Sequence, residues 1–402
     1  MPIKLTVISG PHLGNEFVFD GRDTFLVGRT ADAHFRLTYD DPYFSRRQFL
    51  VEVNPPRCRV TDLNSRNGTL LNGTRVRTAE IKDGDEIAAG HTAFKVRVTG
   101  PAAGDELTLR LPVPRAPELE TIDSPNPGPV VPGYRIEAEL GRGAMGVVYR
   151  AARERDGGLV ALKTIKPAAG VTPKQVARFV RECQILARLA HKNIVGFREV
   201  GEAGGLIYLA MELVDGPDLS EQIRAGGPAD VRTAVRIACQ VLGGVAHAHA
   251  SGYVHRDIKP GNILIARVGG KRVAKLADFG LARVYETSQV SGLTMQGDVG
   301  GTPVFMAPEQ VTHYRQVRPA ADQYAVAATL YKLLTDCYTH DFPNDIGAQL
   351  AHVITADPVP ISDRRADIPP ELAAVVHKAL GREPKDRYPD VTALRRALLP
   401  FA

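Results

Sequence analysis

Between Thr99 and Pro132 the chain carries eight prolines, at positions 101, 112, 114, 117, 125, 127, 129 and 132. Proline removes a backbone donor and locks φ, so a run this dense cannot form the interior of a sheet or helix. It reads as an extended, semi-rigid linker that divides the 402 residues into two folded parts. Inside it only Leu107–Leu111 alternates like a strand and could extend the first part. Both parts have ordinary globular composition, with 44% hydrophobic and 24% charged residues overall. The net charge of +5 is too weak and diffuse to indicate a nucleic acid or a membrane surface as partner. Cysteines 58, 183, 239 and 337 are too far apart for a CxxC motif and are expected as reduced, buried thiols. The only apolar run near the N-terminus is Leu5–Ile8, too short for a signal-peptide core, and no stretch reaches 18 apolar residues. A cytoplasmic protein without a membrane segment is expected.

Before the linker the pattern is short β-rich runs: KLTVI, NEFVF, TFLVG, QFLVEV, CRVTDL and FKVRV. Turn signals separate them, at Asp20-Gly21, Asn67-Gly68, Asn72-Gly73 and Asp83-Gly84. An all-β sandwich or barrel over residues 1–98 is expected, then the linker at 99–132, then a second domain over 133–399. That second domain opens with strands around a Gly-rich turn (134–165). A helical run follows, with Phe179, Ile185, Leu186 and Leu189 among its apolar positions, and then strands at 195–200 and 206–213. From about 218 onward long helices should dominate. The order suggests a small β-rich lobe followed by a larger α-rich one.

Five motifs in the second domain carry chemistry. Gly141, Gly143 and Gly146, followed by Val148 on a strand, sit at a hairpin tip where backbone amides can approach phosphates without Cβ obstruction. Val160-Ala161-Leu162-Lys163 is a buried strand holding one cation, and Glu182 on the next helix is a carboxylate able to hold that lysine, as are Glu199 and Glu202 when the residues are taken alone. His255-Arg256-Asp257-Ile258-Lys259-Pro260-Gly261-Asn262 is the strongest signal. Its Asp257 can accept a proton, Lys259 can neutralise phosphate charge, and the Asn262 amide oxygen can ligate a metal. His255 is assigned a packing role. Asp278-Phe279-Gly280 follows and offers a hard carboxylate ligand suited to Mg²⁺. Gly301-Thr302-Pro303 and Ala307-Pro308-Glu309 close the set.

In this order, from Tyr134 to about Leu399, the residues resemble a eukaryotic-type protein kinase domain of the bacterial kind. The resemblance implies a bilobal α+β fold using ATP and Mg²⁺. It implies phosphate-covering glycines 141, 143 and 146, a Lys163–Glu182 ion pair, Asp257 as catalytic base and Lys259 as phosphate contact. Asn262 and Asp278 become the metal ligands. Met211 falls at the gatekeeper, Glu212 to Val214 at the adenine hinge, and Val148 and Ala161 join the nucleotide-binding set. Asp322 matches the aspartate that steadies the catalytic loop, and Arg387 the arginine that pairs with Glu309. Lys259 and the GTPxxxxAPE ending resemble Ser/Thr rather than tyrosine kinases. Arg256 could pair with a phosphate on the loop after Asp278, where Thr294 is the favoured autophosphorylation site among Thr287, Ser288, Ser291 and Thr294. Phe305 stands where the family often has Tyr, with an effect expected on packing alone.

The first domain resembles a forkhead-associated (FHA) domain through Gly28-Arg29, Ser45-Arg46-Arg47-Gln48, Asn64–Thr69, Leu71-Asn72-Gly73 and Asp83–Ile87. That resemblance implies a β-sandwich whose loops bind phosphothreonine, with Arg29, Ser45, Arg46, Arg66 and Asn67 as the binding set. Gln48 replaces the usual His that braces the loop. The combined expectation is a multidomain chain, an all-β FHA sandwich followed by a bilobal kinase, that phosphorylates protein Ser/Thr and recruits phosphothreonine-containing partners or its own phosphosites. Linker Thr121 is a second phosphosite candidate, and self-association is a further expectation. The rival readings are a phosphorylation-dependent scaffold with weak kinase activity and a small-molecule kinase. The complete set Lys163, Asp257, Asn262 and Asp278 disfavours the first, and the APE segment with Asp322 and Arg387 disfavours the second.

Overall fold

The computed structural model describes residues 3–19, 23–30, 33–37, 41–54, 57–98, 129–143, 146–167, 171–186, 189–279, 303–312 and 317–402. The N-terminal part is a sandwich of two β-sheets. One runs, in spatial order, β2 (Glu16–Phe19), β1 (Ile3–Ser9), β11 (Thr92–Val98), β10 (Glu86–Ala89), β7 (Thr69–Leu71) and β8 (Thr74–Val76). The other runs β4 (Phe35–Arg36), β3 (Asp23–Gly28), β5 (Arg47–Asn54), β6 (Arg57–Asp62) and β9 (Thr78–Glu80). The six strand-like runs read from the sequence fall on β1, β2, β3, β5, β6 and β11. The short strands β4 and β7 to β10 were not foreseen, because two to four residues carry too little periodicity. Side chains alternate as the pleat requires: Ile3, Leu5 and Val7 point inward from β1, and Phe49, Val51 and Val53 from β5. Phe44, Phe49 and Phe94 meet edge to face in the middle, with the Phe49 and Phe94 centroids 5.7 Å apart.

The C-terminal part has two lobes. The smaller is an antiparallel sheet in the order β12 (Tyr134–Gly143), β13 (Gly146–Arg153), β14 (Leu159–Ile165), β16 (Leu206–Glu212) and β15 (Phe197–Ala203), with helix α1 (Pro173–Leu186) beside it. Thr172 and Gln175 start α1 with a reciprocal cap: the Thr172 N–H donates to Gln175 Oε1 at 2.9 Å, and the Gln175 N–H to Thr172 Oγ1 at 3.4 Å. Val176, Phe179 and Cys183, at helical spacing, form its buried stripe. The larger lobe contains α2 (Leu219–Gly226), α3 (Val231–Ala250), α4 (Pro308–Thr312), α5 (Ala320–Thr335), α6 (Ile346–Thr355), α7 (Ile361–Arg364), α8 (Pro370–Ala379) and α9 (Val391–Leu398). Helix α5 is buried on nearly every side and is the lobe's axis.

One departure from the expected run of helices positions the site. Residues 263–276 form a β-hairpin, β17 (Ile263–Val268) and β18 (Lys271–Leu276), turned by Gly269 and Gly270 at φ 55° and 76°. Paired positive φ values are what a tight two-residue hairpin demands. Because Ile263 pairs with Leu276, the ladder brings Asn262 and Asp278 together at its open end.

The two parts pack on each other. On β3 and β5 the residues facing away from the sandwich core include Leu26 and Leu50. With Leu63 they form a buried cluster with Val311 of α4 and Leu350 and Ile354 of α6. Full burial of each such leucine contributes about 1.5–3 kcal/mol. Gly347 of α6 approaches so closely that a Cβ there would lie 2.7 Å from Thr78 Oγ1. Arg47 donates to the Ile354 carbonyl at 3.1 Å and reaches Glu383 at 3.4 Å.

Glu52 is also on the outer face of β5 and is only 7% exposed. Burial pushes its carboxyl up to about 7, against the opposing charge of Arg59. An acid whose folded pKa is raised is favoured in its neutral form. Its contribution is intact below the unfolded value and declines as pH rises toward 7. Glu52→Gln is therefore expected to raise the melting temperature by several degrees at pH 8 and to leave it nearly unchanged at pH 4.5. Thermal scans at the two pH values check this, and an equal gain at both refutes it.

Candidate active site and phosphate-binding loops

The nucleotide side of the site is one face of the small-lobe sheet. Val148 pairs with Lys163 across β13–β14, and Ala161 pairs with Met211 across β14–β16. Cross-strand partners share a face, as do residues two apart. Val148, Ala161, Lys163 and Met211 therefore look onto the cleft together. Gly143 pairs with Gly146 at the tip of the β12–β13 hairpin, with Gly141 opposite Val148. Gly146 has φ 130°, and a Cβ there would lie 2.0 Å from the Thr164 carbonyl, so no other residue fits. Glu212 gives its N–H to the Gly196 carbonyl at 2.7 Å and binds Lys275 with its carboxylate at 2.9 Å. Val214 follows it, half-buried, at the lobe junction. Behind Met211 a small pocket of about 20 Å³ lies between Leu189, Phe197, Leu209 and Phe279.

Lys163 is buried, and its ammonium lies 2.8 Å from Asp278 Oδ2. Here the structure departs from the expected Lys163–Glu182 pair: Glu182 binds Arg178 on its own helix at 2.8 Å, an i,i+4 pair. Two carboxylates compete for one cation, and Asp278 lies nearer as the hairpin presents it. Burial pushes the Asp278 carboxyl up, and the nearby charge and hydrogen bond of Lys163, with His255 and Lys259, outweigh that and hold it below the ordinary carboxylate range. Asp278 has φ 54°, a left-handed conformation that is costly outside glycine and that aims its side chain at the lysine.

Asp257, Lys259 and Asn262 converge as the sequence suggests. Lys259 Nζ is 3.0 Å from Asp257 Oδ2. The Asn262 amide nitrogen donates to the Asp257 carbonyl at 2.7 Å and to its carboxylate at 3.0 Å. That spends the nitrogen and leaves the amide oxygen as a hard donor suited to Mg²⁺. His255 is fully buried and does more than pack. Its Nδ1 accepts from the Asp257 N–H at 3.2 Å, its Nε2 reaches the Ala277 carbonyl at 2.9 Å, and its ring meets Phe279 edge-on. Only the tautomer with a proton on Nε2 satisfies both bonds.

Asp322, 0% exposed, anchors the whole loop. One carboxylate oxygen accepts from the Arg256 N–H at 2.9 Å, and the other from the His255 N–H and His249 Nε2, both at 2.8 Å. These bonds hold Arg256 at φ 70°. Gln310 of α4 adds a strut: its Nε2 donates to the Arg256 carbonyl at 2.8 Å. Arg387 forks onto both oxygens of Glu309 at 2.7 Å and donates further to the Ala320, Gly381 and Arg382 carbonyls. The expected roles of Asp322 and Arg387 thus have matching geometry. Those of His249 and Gln310 had no signal in the sequence. Phe305 packs its ring against Tyr338 at 5.8 Å.

In the sandwich, Arg29, Ser45, Arg46, Arg66 and Asn67 come together on three adjoining loops. The Arg46 carbonyl accepts from the Arg29 N–H at 2.8 Å, Ser45 Oγ accepts from the Arg66 N–H at 3.1 Å, and Asn67 Nδ2 donates to the Tyr43 carbonyl at 2.8 Å. A Cβ at Gly28 would lie 2.3 Å from the Arg46 carbonyl, so the glycine permits this approach. Gln48 is fully buried and braces two loops at once. Its Oε1 accepts from the Ser45 N–H at 2.7 Å, and its Nε2 reaches Ser65 Oγ at 2.7 Å and the Gly68 carbonyl at 3.0 Å. Asp62 completes the network by accepting from the Ser65 and Thr69 hydroxyls at 2.6 Å. Gly280, Thr287, Ser288, Ser291, Thr294, Gly301, Thr302, Thr121 and Leu107–Leu111 lie outside the described residues. Cys58, Cys183 and Cys239 are buried free thiols and Cys337 is a half-buried one. Among the described residues no helix is long and apolar enough to cross a membrane.

A two-lobed fold with these residues in its cleft, joined to a β-sandwich with a basic loop cluster, has the architecture of a protein kinase carrying a second, all-β domain. The family model for the protein kinase domain matches residues 134–397, and that for the FHA domain matches residues 25–90. The chain belongs to the protein kinase family and carries an FHA domain. It is 36% identical to the serine/threonine-protein kinase PkaA of Streptomyces coelicolor over 283 residues, 67% of this chain and 50% of that one. It is 35% identical to the serine/threonine-protein kinase PknL of Mycobacterium tuberculosis, over 65% of this chain and 63% of that one. The chain spans about half the length of most of these curated relatives. The crystal structure of the Mycobacterium tuberculosis PknI kinase domain superimposes with a TM-score of 0.54 at 29% identity, covering 69% of this chain and all of that one. The structure of Rad53 1-466 in complex with AMP-PNP has a TM-score of 0.54 at 21% identity and covers 99% of both chains. That likeness concerns the fold and runs through both domains.

Removing the Gln48 side chain strands buried donors and acceptors on both of the loops it braces, at about 1–3 kcal/mol for each group left unpaired. Gln48→Ala is expected to lower stability to denaturant and to weaken any ligand of these loops, whereas Gln48→His retains part of both. Equilibrium unfolding of the three proteins checks this, and wild-type stability for the alanine variant contradicts it.

Proposed function

We propose that this chain is an ATP-dependent serine/threonine protein kinase that transfers the γ-phosphoryl group to Ser or Thr hydroxyls of proteins, and that its FHA domain binds phosphothreonine. The observation that carries the reading is the convergence of Lys163, Asp257, Lys259, Asn262 and Asp278 in one cleft. Asp257 accepts the proton of the substrate hydroxyl. Lys259, 3.0 Å away, offsets negative charge on the group in transfer. Lys163 leaves Asp278 for the nucleotide phosphates, and Glu182 becomes its partner when α1 turns inward. Asn262 and Asp278 would hold Mg²⁺, which when bound neutralises phosphate charge. Glycines 141, 143 and 146 cover the phosphates, while Val148, Ala161, Met211 and the Glu212–Val214 segment border the base. Positioning and fixed charge supply most of the rate.

In the same reading Arg29, Ser45, Arg46, Arg66 and Asn67 take the phosphothreonine, and Thr294 and Thr121 are phosphosites of the chain itself. Free thiols and an ATP-dependent reaction fit the cytoplasm. Asp257→Asn is expected to reduce phosphotransfer to a protein substrate about 10²–10⁴-fold without shifting the melting temperature. Activity near wild type in that variant would sink the assignment. For the sandwich, Arg29→Ala is expected to abolish preference for a phosphothreonine peptide over its unphosphorylated form. Fluorescence anisotropy checks this, and equal wild-type affinity for the two peptides eliminates phosphothreonine recognition.

A further inference from the structure

The interface between the sandwich and the large lobe has a direction. Each of the three loops that would hold a phosphate leads into it. Ala33, four residues beyond Arg29, packs in the cluster with Met306. Arg47, next to Ser45 and Arg46, holds the Ile354 carbonyl and Glu383. Leu63, three residues before Arg66, is buried with Val311. On the kinase side, Met306 and Val311 flank Ala307-Pro308-Glu309-Gln310, and Gln310 holds the Arg256 carbonyl beside Asp257. Packed side chains thus connect the strands that carry the basic loops to the segment that braces the catalytic loop. The contact is tightly packed and clamped: Leu26, Leu50, Leu350 and Ile354 are each at most 2% exposed.

We infer that the docked sandwich makes this enzyme select protein substrates that already carry a phosphothreonine at a set distance from the hydroxyl to be phosphorylated. The inference rests on phosphothreonine binding by Arg29, Ser45, Arg46, Arg66 and Asn67, as read above. A freely tethered binding module raises the local concentration of every bound substrate. A module fixed on the large lobe does so only for acceptors at the matching spacing.

The test uses the full chain, dephosphorylated beforehand, with acceptor peptides carrying a phosphothreonine roughly 4, 8, 12 or 20 residues from the acceptor on either side, and their unphosphorylated counterparts. The expected result is a KM lower by about tenfold or more for one spacing window, with kcat little changed. Two uncoupling variants sit in the interface and outside both sites. Leu50→Glu places a charge on the sandwich face, and Gly347→Arg wedges α6 away from Thr78. Both are expected to keep phosphopeptide affinity and activity on unphosphorylated peptides, and to flatten the dependence on spacing. Phosphopeptide binding with equal KM for primed and unprimed substrates overturns this inference alone. A spacing preference that survives both interface variants also overturns it. No phosphopeptide binding by the wild-type chain overturns the phosphothreonine reading and this inference with it.

Discussion

The Asp322 carboxylate, wholly buried on the central helix of the large lobe, is the constraint on which the catalytic geometry depends. A charge there is tolerable only because three donors meet it: the backbone N–H groups of His255 and Arg256 and the His249 ring. Those bonds hold Arg256 in a left-handed conformation and so aim Asp257 out of the loop. Asn262 and Lys259 then fix the Asp257 carboxylate from the other side. The strain of the loop is stored locally and is offset by the packing of α5, whose residues are buried on nearly all sides. Active-site order in this chain is therefore a property of the large lobe's core.

The small lobe is less committed. Lys163 has two candidate carboxylates, Asp278 and Glu182, on two separate elements. In this structure it takes Asp278 and leaves Glu182 to Arg178. The choice has a plain electrostatic origin. The nearest carboxylate neutralises the buried ammonium, and the β17–β18 hairpin brings Asp278 within reach of it.

Much of the site was legible because its chemistry needs particular residue types at short spacings. Asp257, Lys259 and Asn262 lie within six residues, and Gly143 and Gly146 close one hairpin. Gln48 was visible as a departure from a family pattern, but its grip on both Ser45 and Ser65 was not, because Ser65 lies seventeen residues away. The contact between domains left a trace that went unread. Phe25-Leu26-Val27 and Phe49-Leu50-Val51 are continuous apolar runs, whereas a strand with one face in water should alternate. Leu26 and Leu50 are apolar because a second domain covers them.

By itself the sequence indicated two domains, most of their longer elements and the groups proposed to hold phosphate, metal and proton. These are set by local rules: proline breaks structure, strand and helix have different periods, and phosphoryl chemistry needs carboxylates, a lysine and open backbone amides. Tertiary structure alone decided which carboxylate Lys163 takes, how His249 and Gln310 brace the catalytic loop, and where the sandwich rests on the large lobe. Each of these depends on distances between residues far apart in the chain. Such distances follow from packing the whole core, which no short window of sequence contains.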